Sequence, residues 1–147
     1  MNIFVLDLNP EVAATYHNNK HVVKMILESK TLLELAHNPN KNNWKHHPCS
    51  KWARSSRENY RWLAKLAVAL CQEYTYRYSK KHKCQDEIIW LRDNEPTFQV
   101  FSLTNFVQAM PEDVKSVDPV KAYRDYYIKY KRHLAKWKTR EVPSWYE

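Results

Sequence analysis

Five ionisable residues early in the chain share one spacing. His17, Lys20, His21, Lys24 and Glu28 stand at i, i+3, i+4, i+7 and i+11, which places them on one face of a continuous helix. An amine packed beside other cations loses its proton more readily and becomes a nucleophile. Such an amine can attack the anomeric carbon of a sugar and form a Schiff base. A carboxylate such as Glu28 then protonates the departing group or steadies oxocarbenium-like charge, and a histidine moves the proton. The plainer reading is a solvated face whose Lys24–Glu28 pair contributes only about 0.2–0.5 kcal/mol. His17 and His21 also have the i, i+4 spacing of two imidazoles on one metal ion, with His46 and His47 able to complete the set. Lys20 and Lys24 on the same face oppose a cation, and no H-E-x-x-H glutamate accompanies the pair.

Two further features suit a polyanionic partner. The loop Trp44-Lys45-His46-His47-Pro48 carries two histidines and reads equally as a polar connection or as a flank of the ionisable stripe. Basic residues recur at Arg54, Arg57, Arg61 and Lys65, then at Lys129, Arg132, Lys136, Lys138 and Arg140. Lys and Arg at such surfaces position phosphates without reading sequence. The closing pair Trp145-Tyr146 could stack on a base or fill a groove, or cover the core.

The elements that must hold these residues are helical. Asn9-Pro10 and Asp118-Pro119 each read as an N-cap followed by proline at the first helical position. The first starts a helix running to about Leu35, with His17-Asn18-Asn19 as a candidate break. Val23, Met25, Ile26, Leu27, Leu32 and Leu33 are its expected core positions. A second helix is expected from about Ser50 to Tyr78, with Trp52, Leu63, Leu66, Leu70 and Tyr74 as a buried stripe. The last is expected to run to about Lys138, with Tyr123, Tyr127, Tyr130, Leu134 and Trp137 on one face. Residues Asn2 to Leu8 read as a short extended segment. Asp86 to Asp118 reads as an irregular acidic connection with short turns near Ile88–Leu91 and Thr104–Ala109. The expected fold is mainly α: one compact domain over residues 1–147, with three long helices.

Composition narrows the function classes. The chain has 147 residues, a formal net charge of +8 and no glycine. Without glycine there is no phosphate-cradling P-loop, dinucleotide turn, nucleophile elbow or EF-hand, since each needs a residue lacking Cβ. Three cysteines without C-x-x-C spacing, Cys49, Cys71 and Cys84, fit buried reduced thiols of a cytoplasmic protein. No apolar stretch is long enough to span a bilayer, and no signal-peptide pattern opens the chain. Ten tyrosines and six tryptophans beside the excess of positive charge point to nucleic acid as the partner.

The order of several short motifs adds a resemblance. Tyr16-His17-Asn18-Asn19-Lys20-His21-Val22-Val23-Lys24, then Glu28, His47-Pro48, Trp52, Asn59-Tyr60, Cys71-x-Glu73 and Arg140-Glu141-Val142-Pro143-Ser144-Trp145-Tyr146 are together similar to the phage pyrimidine-dimer DNA glycosylases with abasic-site lyase activity. These are the ultraviolet-repair endonuclease V type, with uncharacterised phage and bacterial relatives. The resemblance implies a compact helical fold and a monomer in the cytoplasm, of the host cell if the protein is viral. It also implies base extrusion from double-stranded DNA carrying a damaged or modified pyrimidine, and no cofactor. It implies attack by a chain-terminal amine with a first-helix glutamate, then strand cleavage through the imine. Asn2 hinders removal of the initiator residue, so the amine expected is that of Met1, with Lys20 or Lys24 as alternatives. Glu28 is the carboxylate nearest the family position, with His17 and His21 beside it. His46, His47, Arg54, Arg57, Arg61, Lys129, Arg132, Lys136, Arg140, Trp145 and Tyr146 are the expected DNA contacts. The competing expectations are a non-catalytic DNA-binding protein of the same fold and a metal-dependent phosphodiesterase or nucleotide hydrolase using His17, His21, His46 and His47.

Overall fold

A computed structural model describes residues 1–147. It is all-helical, without strands. Six α-helices follow in order: α1 (Pro10–Tyr16), α2 (Asn19–His37), α3 (Pro48–Ser55), α4 (Arg57–Tyr78), α5 (Gln85–Asp93) and α6 (Pro119–Tyr130). Short 3-10 turns lie at Pro39–Lys41, Asn43–His46, Glu112–Val114 and Arg132–Leu134. The two proline starts form as expected. The side chains of Asn9 and Asp118 accept from the first backbone N–H groups of α1 and α6.

Each of the three expected long helices is interrupted. The first breaks at His17-Asn18, both extended, and the Asn18 side chain then caps α2 by accepting from His21 N–H. The second breaks at Ser56, also extended, whose hydroxyl caps α4. The last ends at Tyr130, eight residues before the expected Lys138, and continues as an irregular chain around the 3-10 turn. The apolar spacing beyond Tyr130 therefore does not mark a helix, although Trp137 is buried. Thr104–Ala109 forms no helical turn, whereas α5 covers Ile88–Leu91. Val23 and Leu27, expected in the core, are 41% and 46% exposed, and Val22 and Leu35 are buried.

Helix α4 is the hub, packing against α1, α2, α3 and α5. Two of its polar side chains close the two main breaks. Arg77, fully buried, donates to the Thr15 and His17 carbonyls at the end of α1 and to Asn19 Oδ1, while its Nε meets Glu73 Oε2 at 2.7 Å. Arg140 meets the same carboxylate from the chain's closing segment. Asn59, also buried, donates to the Trp52 carbonyl near the end of α3 and binds Thr104 through both ends of its amide. Backbone groups that a break leaves unpaired must find partners if buried, and these side chains supply them.

Residues 2–6 thread through the interior. Ile3, Phe4, Val5 and Leu6 are buried without strand partners, so side chains pair their backbone. Asn2 Oδ1 accepts from Ile3 and Phe4 N–H, and its amide donates to the Ala109 carbonyl. Arg124 and Trp62 donate to the Leu6 and Leu8 carbonyls. Phe4 has φ +34°, strained for a residue with a Cβ.

Replacing Arg77 by Met should lower the unfolding free energy by about 3–5 kcal/mol, because Glu73 then sits buried with only Arg140 beside it. Arg77→Lys should recover less than half, since one ammonium cannot span the several acceptors of a planar guanidinium. Urea unfolding of the variants measures both.

Candidate active site around Glu28

Glu28 is the one acidic residue of α2 in the buried class, 9% exposed. The amine of Met1 lies 3.2 Å from its Oε1 and the Lys24 ammonium 3.6 Å from its Oε2. The first approach is an ion pair without hydrogen-bond geometry, so buried Oε1 keeps an unused acceptor position. An exposed i, i+4 pair would hold both partners in water. Here Lys24 is exposed, the carboxylate is not, and the amine is delivered by the buried leading segment that Asn2 anchors. A small cavity of about 120 Å³ opens on the pair, bounded by Met1, Phe4, His21, Glu28, Tyr126 and Lys131 among others.

His21 forms the cavity's neutral wall. Its ring stacks on Phe4 with centroids 4.2 Å apart, and its Nδ1 lies 2.6 Å from the Tyr127 hydroxyl. That hydroxyl accepts from Asn18 N–H, so its single proton is free to go to His21 Nδ1, which leaves Nε2–H as a donor on the ring's other edge. Burial, then the neighbouring His17, Lys131, Lys24 and His133, pushes the His21 pKa down to about 2. His17 does not share the face with the others. It lies in the break between α1 and α2, fully buried, with Nδ1 donating to the Ala13 carbonyl and Nε2 unpaired. Burial and the nearby Arg77 hold its pKa at about 4, against the raising effect of its bond to Ala13. Lys20 is exposed.

The turn that carries His46 packs against α2. His47 caps α3, its Nδ1 accepting from Cys49 N–H. Burial lowers its pKa, the Met1 amine adds to the lowering and Glu28 opposes it. His46 is exposed on the preceding turn. The metal arrangement does not form: no group of three or more His, Cys, Asp or Glu side chains is placed to hold an ion. The three cysteines are free and buried.

The expected DNA contacts divide. Arg61 is held by Glu95 through two hydrogen bonds, Arg57 lies over Phe101 beside Glu58, and Arg54 donates to Ser50. Lys129 pairs with Asp113, Arg132 binds the Glu147 carbonyl and Arg140 grips Glu73. Lys136 has no acidic partner and is exposed. Trp145 packs on Tyr16 and Tyr127 and Tyr146 on Trp137, so the aromatic close covers the core. Sequence reasoning missed Asn2, Phe4, Tyr126 and Lys131 as site residues. Only their tertiary placement reveals them.

The first helices, the leading segment and the Glu28 pair all fall within the part of the chain that known proteins account for. The family described as pyrimidine dimer DNA glycosylase matches residues 1–86. The chain belongs to this family. No curated protein and no solved structure matches it. The family supports a DNA glycosylase role with DNA as the substrate, and the matched region holds Met1, His21, Lys24, Glu28 and His47. No helix is long and apolar enough to cross a membrane.

The two buried histidines fix a pH dependence. An unfolded histidine takes its proton near pH ~6.5, while His17 and His21 stay neutral in the folded chain to about 4 and about 2. Between these values the unfolded state binds the extra protons. Stability should therefore be complete above pH ~6.5 and drain as the pH falls, by up to about 2.7 kcal/mol per pH unit with both rings contributing. Urea unfolding across that range measures the slope, and histidine ring resonances should show neither ring titrating above pH ~5.

Proposed function

We propose that this DNA glycosylase removes a damaged or modified pyrimidine from double-stranded DNA through the amine of Met1, with Glu28 as its proton-transfer partner, and cleaves the resulting abasic site. The observation that carries the reading is the Met1 amine 3.2 Å from a carboxylate that is almost wholly withdrawn from water. As a class, α-amines are weaker bases than lysine ε-amines by about 2.5 pKa units, and this one stands against a carboxylate that can take its proton.

The chemistry follows from the groups in the cavity. A stacked nucleotide hides its anomeric carbon, so the target must be extruded. The amine nitrogen then bonds to C1′ as the glycosidic bond breaks, and the base leaves with that electron pair and is protonated by water. Glu28 takes the proton shed by the attacking nitrogen and returns it to the sugar's ring oxygen as the ring opens to an imine. The imine acidifies C2′. Loss of that proton expels the 3′ phosphate, and water finally releases the amine. His21, neutral and donating through Nε2–H, suits the developing negative charge on the ring oxygen.

Borohydride should trap a covalent adduct on a duplex carrying an abasic site. A single residue added before Met1 should abolish the adduct, and Lys24→Ala should keep it. Glu28→Gln should slow single-turnover cleavage by about 10²–10⁴-fold. An adduct that survives the extension and vanishes in Lys24→Ala transfers the nucleophile to Lys24 and overturns the assignment. A panel of dimer, hydroxymethylated, abasic and undamaged duplexes identifies the base.

A further inference from the structure

The Glu28 cavity, about 120 Å³, holds roughly four water molecules at liquid volume. It admits the edge of a sugar but not a nucleotide with its phosphates. Lys24 also lines a second concavity of about 640 Å³, between the first turns of α2, the end of α4 and the turn at Arg132–Leu134. Lys20, Lys80, Lys136 and His133 join Lys24 there, and no carboxylate lines it.

Several lysines elsewhere on the surface are neutralised by a neighbouring acid. Lys30, Lys41, Lys81, Lys115, Lys121 and Lys129 each meet an Asp or Glu. Lys20, Lys80 and Lys136 join no ion pair. Uncompensated cations lining a concave surface focus positive potential and draw in polyanions. The wall is also fixed: Asn19 N–H donates to the Lys136 carbonyl and Asn19 Oδ1 accepts from Lys138 N–H, each at 2.8 Å. Half-buried Tyr74 and Tyr78, ring centroids 5.2 Å apart, add an aromatic side against which sugar faces can pack.

We infer that this groove carries the phosphodiester backbone of the strand whose sugar reaches Glu28, with Lys20, Lys80 and Lys136 on its phosphates. The inference rests on the Glu28 cavity being the reacting site. It moves the DNA path away from the arginines of α3 and early α4, two of which face Glu58 and Glu95.

Salt titrations of duplex binding, read by fluorescence anisotropy, test it. The probes are an undamaged duplex and the same duplex with a central abasic analogue. The triple variant Lys20→Ala, Lys80→Ala, Lys136→Ala should make the slope of log K against log salt shallower by about 2–3. A control of equal charge loss, Lys65→Ala, Lys115→Ala, Lys121→Ala, should change it by less than about 1. All six lysines are exposed or at the surface, and far-UV dichroism checks that both variants keep their helices. Glu28→Gln removes no cation from the groove and releases Lys24 from its ion pair, so it should keep a slope at least as steep as the parent's, and a failure of the reacting-site reading appears in adduct trapping and not in this measurement. An unchanged slope in the groove variant, an equal change in the control, or displacement of the duplex by polyglutamate at the same charge concentration would overturn the inference.

Discussion

One buried guanidinium sets the geometry of the amino-terminal half. Arg77 sits where α1 has ended and α2 has not begun, and its donors reach Thr15 and His17 carbonyls that the break leaves without helical partners. Its own charge is met by Glu73, one turn away on the same helix, and that carboxylate is shared with Arg140. A buried pair of this kind gives little net stability compared with apolar packing, but removing one member is severe. Its structural effect is to let the chain turn at His17-Asn18. With that turn α2 starts afresh on its own cap and directs His21, Lys24 and Glu28 toward the cavity, while His17 stays behind in the interior.

The leading segment is the second half of the device. A strandless stretch through the core is expensive, because each backbone polar group loses water and must be paired singly. Asn2, Trp62 and Arg124 do this pairing from three parts of the fold. Phe4 adds strain in a positive-φ conformation and uses its ring to fix the face of His21. Strain of this kind persists where surrounding contacts over-determine it, often at functional sites. The outcome is a chain-terminal amine placed against a carboxylate as firmly as a side chain would be.

Much of this was legible in the residues, and the misses have physical causes. The cap-and-proline starts at Asn9 and Asp118 act locally and were readable. The break at His17-Asn18 was signalled by weak propensity, but what stabilises it is Arg77, sixty residues away. The Ser56 break was not anticipated, since its support comes from Asn59 and Thr104. Periodicity misled beyond Tyr130, because aromatic side chains at helical spacing can be buried from an irregular chain. Glu73 and Arg77 continue the Leu66 and Leu70 stripe at i+7 and i+11, a pattern that placed an ion pair on a buried face and could have been read.

A chain of 147 residues with no glycine nevertheless visits positive φ at three places, Phe4, Ser79 and Thr139. Ser79 does so to close α4, its N–H bonding the Thr75 carbonyl, a position where glycine is the common choice. Glycine relaxes such turns but widens the conformational ensemble of the denatured polypeptide. By doing without it everywhere, this sequence concentrates its local discomfort in three residues. In return the disordered chain has less entropy to surrender at every position when it collapses to the native state.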